Sequence, residues 1–455
     1  MVNHVGESRE VLEMSSSAAK SGRILRVSRR TVMILGGVFV CAAAAVGVLA
    51  YVRANSNNAA PTPQNIPSIH AEALKSPPSS LVNSVPSSKT TKESRTRLPT
   101  SLKPTHYTVK LQPFVDGNFS IAGFVKVDFL VEETTNNVTL NIFDIITHND
   151  TVKVASLDDP LTGLPITEHL YDHETQTYTA MMKENLISGV SYSITMEFEG
   201  YLNDKLKGFY RSSYSDDNKN TRYLAVSQFE PADAHLAFPC FDEPGLNATF
   251  EVHLARKTNM TSLSNMPIKE TIPMEQQEGW LWDQYHTTVP MSTYLLDFVV
   301  SDFVNLNTVI DDKILFRVWA RPSAIHQAHY ALDVGPRMLT HFINFFSQPY
   351  PLPKLDMIAI PDFAAGAMEN WGLVTYRERL LLLDPNDFAA SDMDDVARVM
   401  AHELAHQWFG NLVTLKWWND LWLNEGFATF VSYIGTSHVS LLNSLCSTAT
   451  VYGGQ

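Results

Sequence analysis

The sequence is short of cysteine, with three in 455 residues, at positions 41, 240 and 446. That is too few for a framework of disulfides. Cys240, in "FPCFDEP", reads as a buried thiol; Cys41 lies in an apolar run, and Cys446, near the C-terminus, is free to be exposed. The chain is also short of positive charge, with 34 Lys and Arg against 48 Asp and Glu and a formal net charge of −14. A phosphate backbone needs a basic stripe, and the folded part offers none, so nucleic acid is not an expected partner. Hydrophobic residues make up 45% and charged residues 18%, which excludes a disordered chain and leaves room for two or three domains.

In one place charge is missing altogether. Residues 31–52, "TVMILGGVFVCAAAAVGVLAYV", form 22 uncharged residues, long enough to span a bilayer as a helix. Lys20, Arg23, Arg26, Arg29 and Arg30 precede them, and only Arg53 follows closely, which puts the N-terminus in the cytoplasm. The run is longer than a signal-peptide core and begins 30 residues in, so an uncleaved signal-anchor is expected. The layout is then a cytoplasmic tail (1–30), a single transmembrane helix in the lipid bilayer (31–52) and a Ser/Pro/Asn/Thr-rich stalk (53–97). This single-pass type II topology makes the remainder extracellular or luminal. Five Asn-x-Ser/Thr triplets, at Asn118, Asn137, Asn149, Asn247 and Asn259, all follow the anchor and are glycosylation candidates.

From about Leu98 the pattern changes. Val125, Val127, Phe129 and Val131 alternate in "FVKVDFLV", as do Tyr192, Ile194, Met196 and Phe198 in "YSITMEF". Period two predicts half-buried strands, hence a β-rich N-terminal domain over 98–301. Helical spacing enters with "HQAHYALDVGPRMLTHFINFFSQ" and returns from Ser391, predicting a mixed domain over 302–439 and a tail over 440–455.

The chemistry lies in "HELAHQWFGNLVTLKWWNDLWLNEGFATF", residues 402–430. Ser391 with Asp392 and Asp394 predicts a helix start, and Gly410-Asn411 its end. On that helix His402 and His406 share one face, a turn apart, so both imidazoles reach one ion. Glu403 can face a metal-bound water. A second helix, from near Asn419-Asp420 to Gly435, offers Glu425 as third ligand, with 18 residues between it and His406. Two histidines and a carboxylate with an open fourth position make a catalytic zinc site rather than a structural one. A separate stretch, "PDFAAGAMENWGLVTYRE" (361–378), sets Glu369 in apolar surroundings, with Gly366 and Gly372 permitting close backbone approach.

Together "GAMEN" at 366–370, "HELAH" at 402–406 and "WWNDLWLNEGFA" at 417–428 resemble the zinc aminopeptidases of the gluzincin type, the group of aminopeptidase N and the oxytocinase-like enzymes. "RLPTSLKPTHYTVKLQP" (97–113) and "FEPADAHLAFPCFDEP" (229–244) add to the likeness, which covers about residues 97–438. The resemblance implies a thermolysin-like α+β catalytic domain after the β-rich one. It implies one Zn²⁺ on His402, His406 and Glu425, Glu403 as general base, Gly366, Ala367 and Met368 against substrate backbone, and Glu369 with Glu230 on the substrate's free α-ammonium. The expected activity is removal of N-terminal residues from peptides with a free N-terminus; a homodimer is left open. The chain departs from the family's pattern at His235, where relatives have Arg, and at Ala364 and Ala365, in place of part of "FNA". Gln228 stands where family members selective for acidic N-termini carry Asp, so the resemblance implies neutral or basic first residues. The family's oxyanion-stabilising tyrosine has no match in Tyr433 or Tyr452, and the likeness fades after about Val439. The catalytic domain is therefore expected to be incomplete, a C-terminal truncation, with Trp408, Trp417 and Trp418 exposed. A catalytically inactive zinc- or peptide-binding membrane glycoprotein is the alternative. The Glu230–Glu369 pair argues against an endopeptidase.

Overall fold

Strands dominate the first two thirds of the fold because their sequences alternate. In the computed structural model, which describes residues 97–275 and 277–452 with side chains through Val439, Val125, Val127, Phe129 and Val131 are all buried on one face of the strand Ser120–Val131. Tyr192, Ile194, Met196 and Phe198 do the same on Ser191–Tyr201, which pairs with it antiparallel. These two belong to a mixed eight-stranded sheet whose centre is Leu102–Pro113, antiparallel to Ser120–Val131 and parallel to Thr249–Lys257. A four-stranded and a three-stranded sheet complete the β-rich part. Tyr107, stacked on Phe250 at 4.7 Å and edge-on to Phe238, joins the large sheet to the loop holding Cys240, a buried free thiol.

The second part carries a five-stranded sheet in the order Val304–Ile310, Ile314–Ala320, Lys354–Ile360, Leu373–Arg377, Ala367–Met368. Lys354–Ile360 is buried at every residue and parallel to both neighbours, as a strand covered on both faces must be. Three helices accompany the sheet: α1 (His329–Phe346), between Ile314–Ala320 and Lys354–Ile360, then α2 (Ala390–His406) and α3 (Leu421–Tyr452) after the last strand. Both parts lie within one contact unit, Ser87–Gln455. The tail 1–30, the anchor 31–52 and all but the last residue of the stalk lie outside the described residues. Among the described residues no helix is long and apolar enough to cross a membrane.

Local boundaries differ from the sequence reading in instructive ways. Arg97 belongs to the fold rather than to the stalk: its guanidinium pairs with Glu243 at 2.8 Å and lies 3.8 Å over the Trp417 ring. Helix α2 is capped by Ala389, not Ser391, because the Asp392 carboxylate reaches back to accept from the Ala389 N–H at 2.8 Å. The same helix stops at His406. Gly410, with a φ of +125°, turns the chain four residues later, and the Asn411 N–H donates to the His406 carbonyl. Gly435 does not end α3 but sits within it. A Cβ there would meet Phe342 of α1 at 2.6 Å and Ala401 of α2 at 3.2 Å, so the glycine lets three helices close together. Trp408, expected at the surface, is buried against Phe342 and Phe346, and Trp418 packs on Tyr294. On α3 the exposed apolar residues include Trp422, Phe427, Phe430 and Tyr433.

Candidate metal centre and peptide site

Helix α2 holds His402 and His406 one turn apart, and the second turn of α3 brings Glu425 to them. His402 Nε2 and His406 Nε2 are 3.0 Å apart, and the Glu425 carboxylate lies 3.3 Å from the first and 3.7 Å from the second. Four tetrahedral ligands at bond lengths of about 2.0–2.1 Å are separated by about 3.3 Å, so the observed triangle fits a zinc-sized ion. Tautomers support the same fit. The Phe409 carbonyl lies 2.9 Å from His406 Nδ1 and can only accept, so Nδ1 carries the proton and Nε2 turns a lone pair toward His402. Burial keeps both imidazoles below their ordinary pKa, the neutral form a metal needs. Burial pushes the Glu425 carboxyl up, but His402 and His406 outweigh it and hold the group ionised.

Glu403, on the next position of α2, is fully inside. Burial first, then the neighbouring Glu369, Glu425 and Glu230 carboxylates, raise its pKa well above the ordinary value. Its Oε2 has no hydrogen-bond partner. Glu369 is pushed to about 8 by burial and by Glu425, and Glu230 to about 9 by burial, Glu369 and Glu425. Carboxyl oxygens of Glu230, Glu369 and Glu425 lie within 4.8 Å of one another, as do donor atoms of Glu369, Glu403 and His406. Four carboxylates gathered together, Glu369 and Glu403 buried and Glu230 and Glu425 partly so, with buried oxygens of Glu230, Glu369 and Glu403 unpartnered, form a place suited to cations.

Elements from both parts of the fold set this cluster. Glu369 follows the short edge strand Ala367–Met368, in which Met368 is buried and Ala367 half-buried; Gly366 packs near Leu380. Glu230 comes from the β-rich part, just beyond the strand Thr221–Gln228, with Gln228 buried beside it. The sequence reading missed the groups that fix Glu369. Its carbonyl accepts from Asn411 Nδ2 at 2.9 Å and Gln407 Nε2 at 3.4 Å, while Asn370 donates to the buried Asp297 at 3.1 Å. Asn411 reads in the sequence only as a helix stop, and Gln407 and Asp297 carry no sequence signal, since their role depends on which backbone carbonyl or side chain the fold brings near.

Other singled-out positions lie outside the cluster. His235 bonds Asp242 at 2.7 Å and Gln176 at 2.9 Å as a buried structural residue. Tyr433 is exposed, and the side chains of Tyr452 and Cys446 lie outside those described. Of the triplet asparagines, Asn118, Asn149, Asn247 and Asn259 are exposed and Asn137 is half-buried.

Two sequence profiles of one family match the chain in order: the Peptidase M1 N-terminal domain over residues 103–295 and the Peptidase family M1 domain over residues 330–452. The second match extends beyond Val439, where the motif likeness fades. Aminopeptidase N of Oryctolagus cuniculus is 39% identical over 422 residues, 89% of this chain and 42% of the relative. Aminopeptidase N of Homo sapiens is 41% identical over 419 residues, again 89% and 42%. Endoplasmic reticulum aminopeptidase 2 of Bos taurus is 42% identical over 347 residues, 74% and 35%. The chain thus spans well under half the length of these curated relatives. With both domain profiles matched over well over half its length and these identities across most of it, the chain belongs to peptidase family M1.

Proposed function

We propose that the chain is a membrane-anchored zinc aminopeptidase that hydrolyses the first peptide bond of peptides with a free N-terminus, held to the bilayer through residues 31–52. One observation carries this reading: the His402–His406–Glu425 triangle sits beside a buried acidic pocket made by Glu230 and Glu369. His402, His406 and Glu425 would hold Zn²⁺. When bound, the ion supplies Lewis acidity that polarises the scissile carbonyl and makes water a stronger acid. Glu403 accepts the proton released as water adds to the carbonyl carbon, then delivers it to the departing amine as the C–N bond breaks.

Glu369 and Glu230 bind the substrate's α-ammonium by charge-assisted hydrogen bonds. That cation also relieves the repulsion among the four carboxylates. Anchored there, only the first peptide bond lies within reach of Glu403, which makes the pocket a ruler for exopeptidase action. Asn411 and Gln407, by gripping the Glu369 carbonyl, hold that ruler at a fixed place relative to α2. The exposed triplets at Asn118, Asn149, Asn247 and Asn259 suit glycosylation on the far side of the membrane.

The direct test is hydrolysis of fluorogenic aminoacyl amides by the full chain, with a chelator and with N-acetylated substrates as controls. Turnover that the chelator abolishes and that acetylation prevents is expected. Cleavage of the acetylated substrates at an equal rate would show an endopeptidase. Zinc bound at one per chain without turnover would favour the inactive binding module.

A further inference from the structure

The strand Ala367–Met368 is the outermost of its sheet, paired with Leu373–Arg377 on one side only among the described residues. Beyond Glu369 the chain turns back through Asn370–Gly372, closed by the Leu373 N–H donating to the Asn370 carbonyl at 3.0 Å. An extended peptide whose α-ammonium is held at Glu369 therefore finds free strand edge only in the direction of Gly366. With a rise of about 3.3 Å per residue, the three steps from Glu369 to Gly366 span about 10 Å, the length of a tripeptide.

At that end stands a cation. The Arg377 N–H donates to the Gly366 carbonyl at 2.9 Å, and its Nη2 donates to the carbonyls of Phe363 at 3.0 Å and Ala364 at 2.9 Å. Among the described residues no carboxylate lies within 4.0 Å of its guanidinium, and Nε and Nη1 make no hydrogen bond. The neighbouring Glu378 is taken by Arg321 at 2.7 Å, so it does not neutralise Arg377. The flanking Ala364 and Ala365 are exposed and small, leaving the approach open. In a chain of net charge −14, an arginine beside the site with no acidic partner has a positive charge to spare.

We propose that Arg377 is a specificity-determining residue that binds the C-terminal carboxylate of tripeptides laid along this edge. The proposal rests on the reading of Glu369 and Glu230 as the ammonium site. A guanidinium held by two backbone carbonyls keeps a fixed orientation, so its remaining N–H groups meet a carboxylate with little ordering cost. A longer peptide presents a neutral carbonyl at the same place, and a dipeptide falls short of it.

Binding to the metal-free full chain tests this without turnover, using Leu-Gly-Gly, its C-terminal amide, and N-acetyl-Leu-Gly-Gly in calorimetric titrations. The acid should bind about tenfold more tightly than the amide, the low end for a hydrogen bond to a charged group. That ratio should fall to about one in Arg377→Gln and survive in part in Arg377→Lys. Because each ratio is internal to one protein, a general loss of affinity cancels. Should Arg377→Gln not fold, the unsubstituted chain still decides: the acid-to-amide ratio must peak at three residues across Leu-Gly, Leu-Gly-Gly and Leu-Gly-Gly-Gly. Equal affinities for acid and amide, or no binding by any of these peptides, overturn the proposal. Equal binding of the acetylated and free tripeptides identifies a different failure, that of the ammonium site, and the tripeptide ruler falls with it.

Discussion

The strands of the β-rich part and the helices around His402 treat polar groups in opposite ways. In the first, buried polar clusters are paired: Asp283 accepts from Arg256, Ser262 and Thr271, and Asp242 from His235 and Thr293, while unpartnered oxygens are few and include those of Gln228 and Glu230 beside the site. Around the second, buried side-chain atoms of Glu369, Glu403, Gln407, Asn411 and Asn424 have no partner. Unpaired buried groups cost stability, so a fold tolerates a concentration of them where something else is to be bound. On the proposed reading, the contrast separates residues that hold the molecule together from residues that wait for a cation, an ammonium or water.

Substitutions in the two regions should therefore fail differently. The largest effect belongs to Glu403→Gln, which keeps the shape but, under the proposed mechanism, removes the base; a loss of about 10²–10⁴-fold in kcat is expected, with zinc content by mass spectrometry unchanged. If zinc is lost along with activity, Glu403 supports the metal rather than the proton transfer. Phe129→Ala, deep in the large sheet, should cost about 3–5 kcal/mol in denaturant unfolding while leaving zinc content of the folded fraction intact. A change in zinc affinity there would break the division between the regions. Gly435→Ala comes next, since its Cβ would press on the Phe342 ring and need the α1–α3 packing to give. Overpacking of this kind typically costs about 1–3 kcal/mol, and thermal unfolding with a fall in melting temperature is the check. A variant as stable as the parent would mean the Phe342 ring moves aside freely.

Much of the β-rich part was legible because alternation is a local signal: the inward residues of Ser120–Val131 can be read off in order. His402 and His406 were legible for a similar reason, since a spacing of four on a helix fixes a shared face whatever surrounds it. Glu425 came from the spacing and the second helix together. What sequence could not carry was tertiary. Gly435 resembled a helix stop, but its missing Cβ makes room for Phe342 and Ala401. Ser391 resembled a cap, but the Asp392 carboxylate reaches Ala389 instead. The Asn411 and Gln407 grip on the Glu369 carbonyl, and the Phe409 carbonyl that fixes the His406 tautomer, come from the turn after α2, whose shape no local pattern specifies. Trp408 reads as exposed when its helix is taken alone, yet α1 covers it.

The smallest expected effect is a dependence on pH, and it tests the claim that the acidic pocket awaits a cation. In the metal-free chain Glu369 holds its proton up to about pH 8 and Glu230 up to about 9, against an ordinary value of 4.5 for both. Across that interval the folded state binds more protons than the unfolded one, so stability falls as pH rises through the folded values. His402 and His406 act in the opposite direction, but only up to their ordinary value of 6.5, so the window is pH 7–9. Lys354, lowered to about 8 by burial, also opposes the trend there, and it is common to parent and variant. The melting temperature of the metal-free parent should therefore fall relative to that of Glu369→Gln between pH 7 and 9, because the amide cannot ionise. Parallel curves for the two proteins would show that Glu369 is already ionised at neutral pH. In that case the pocket would not need a bound cation to settle its charge.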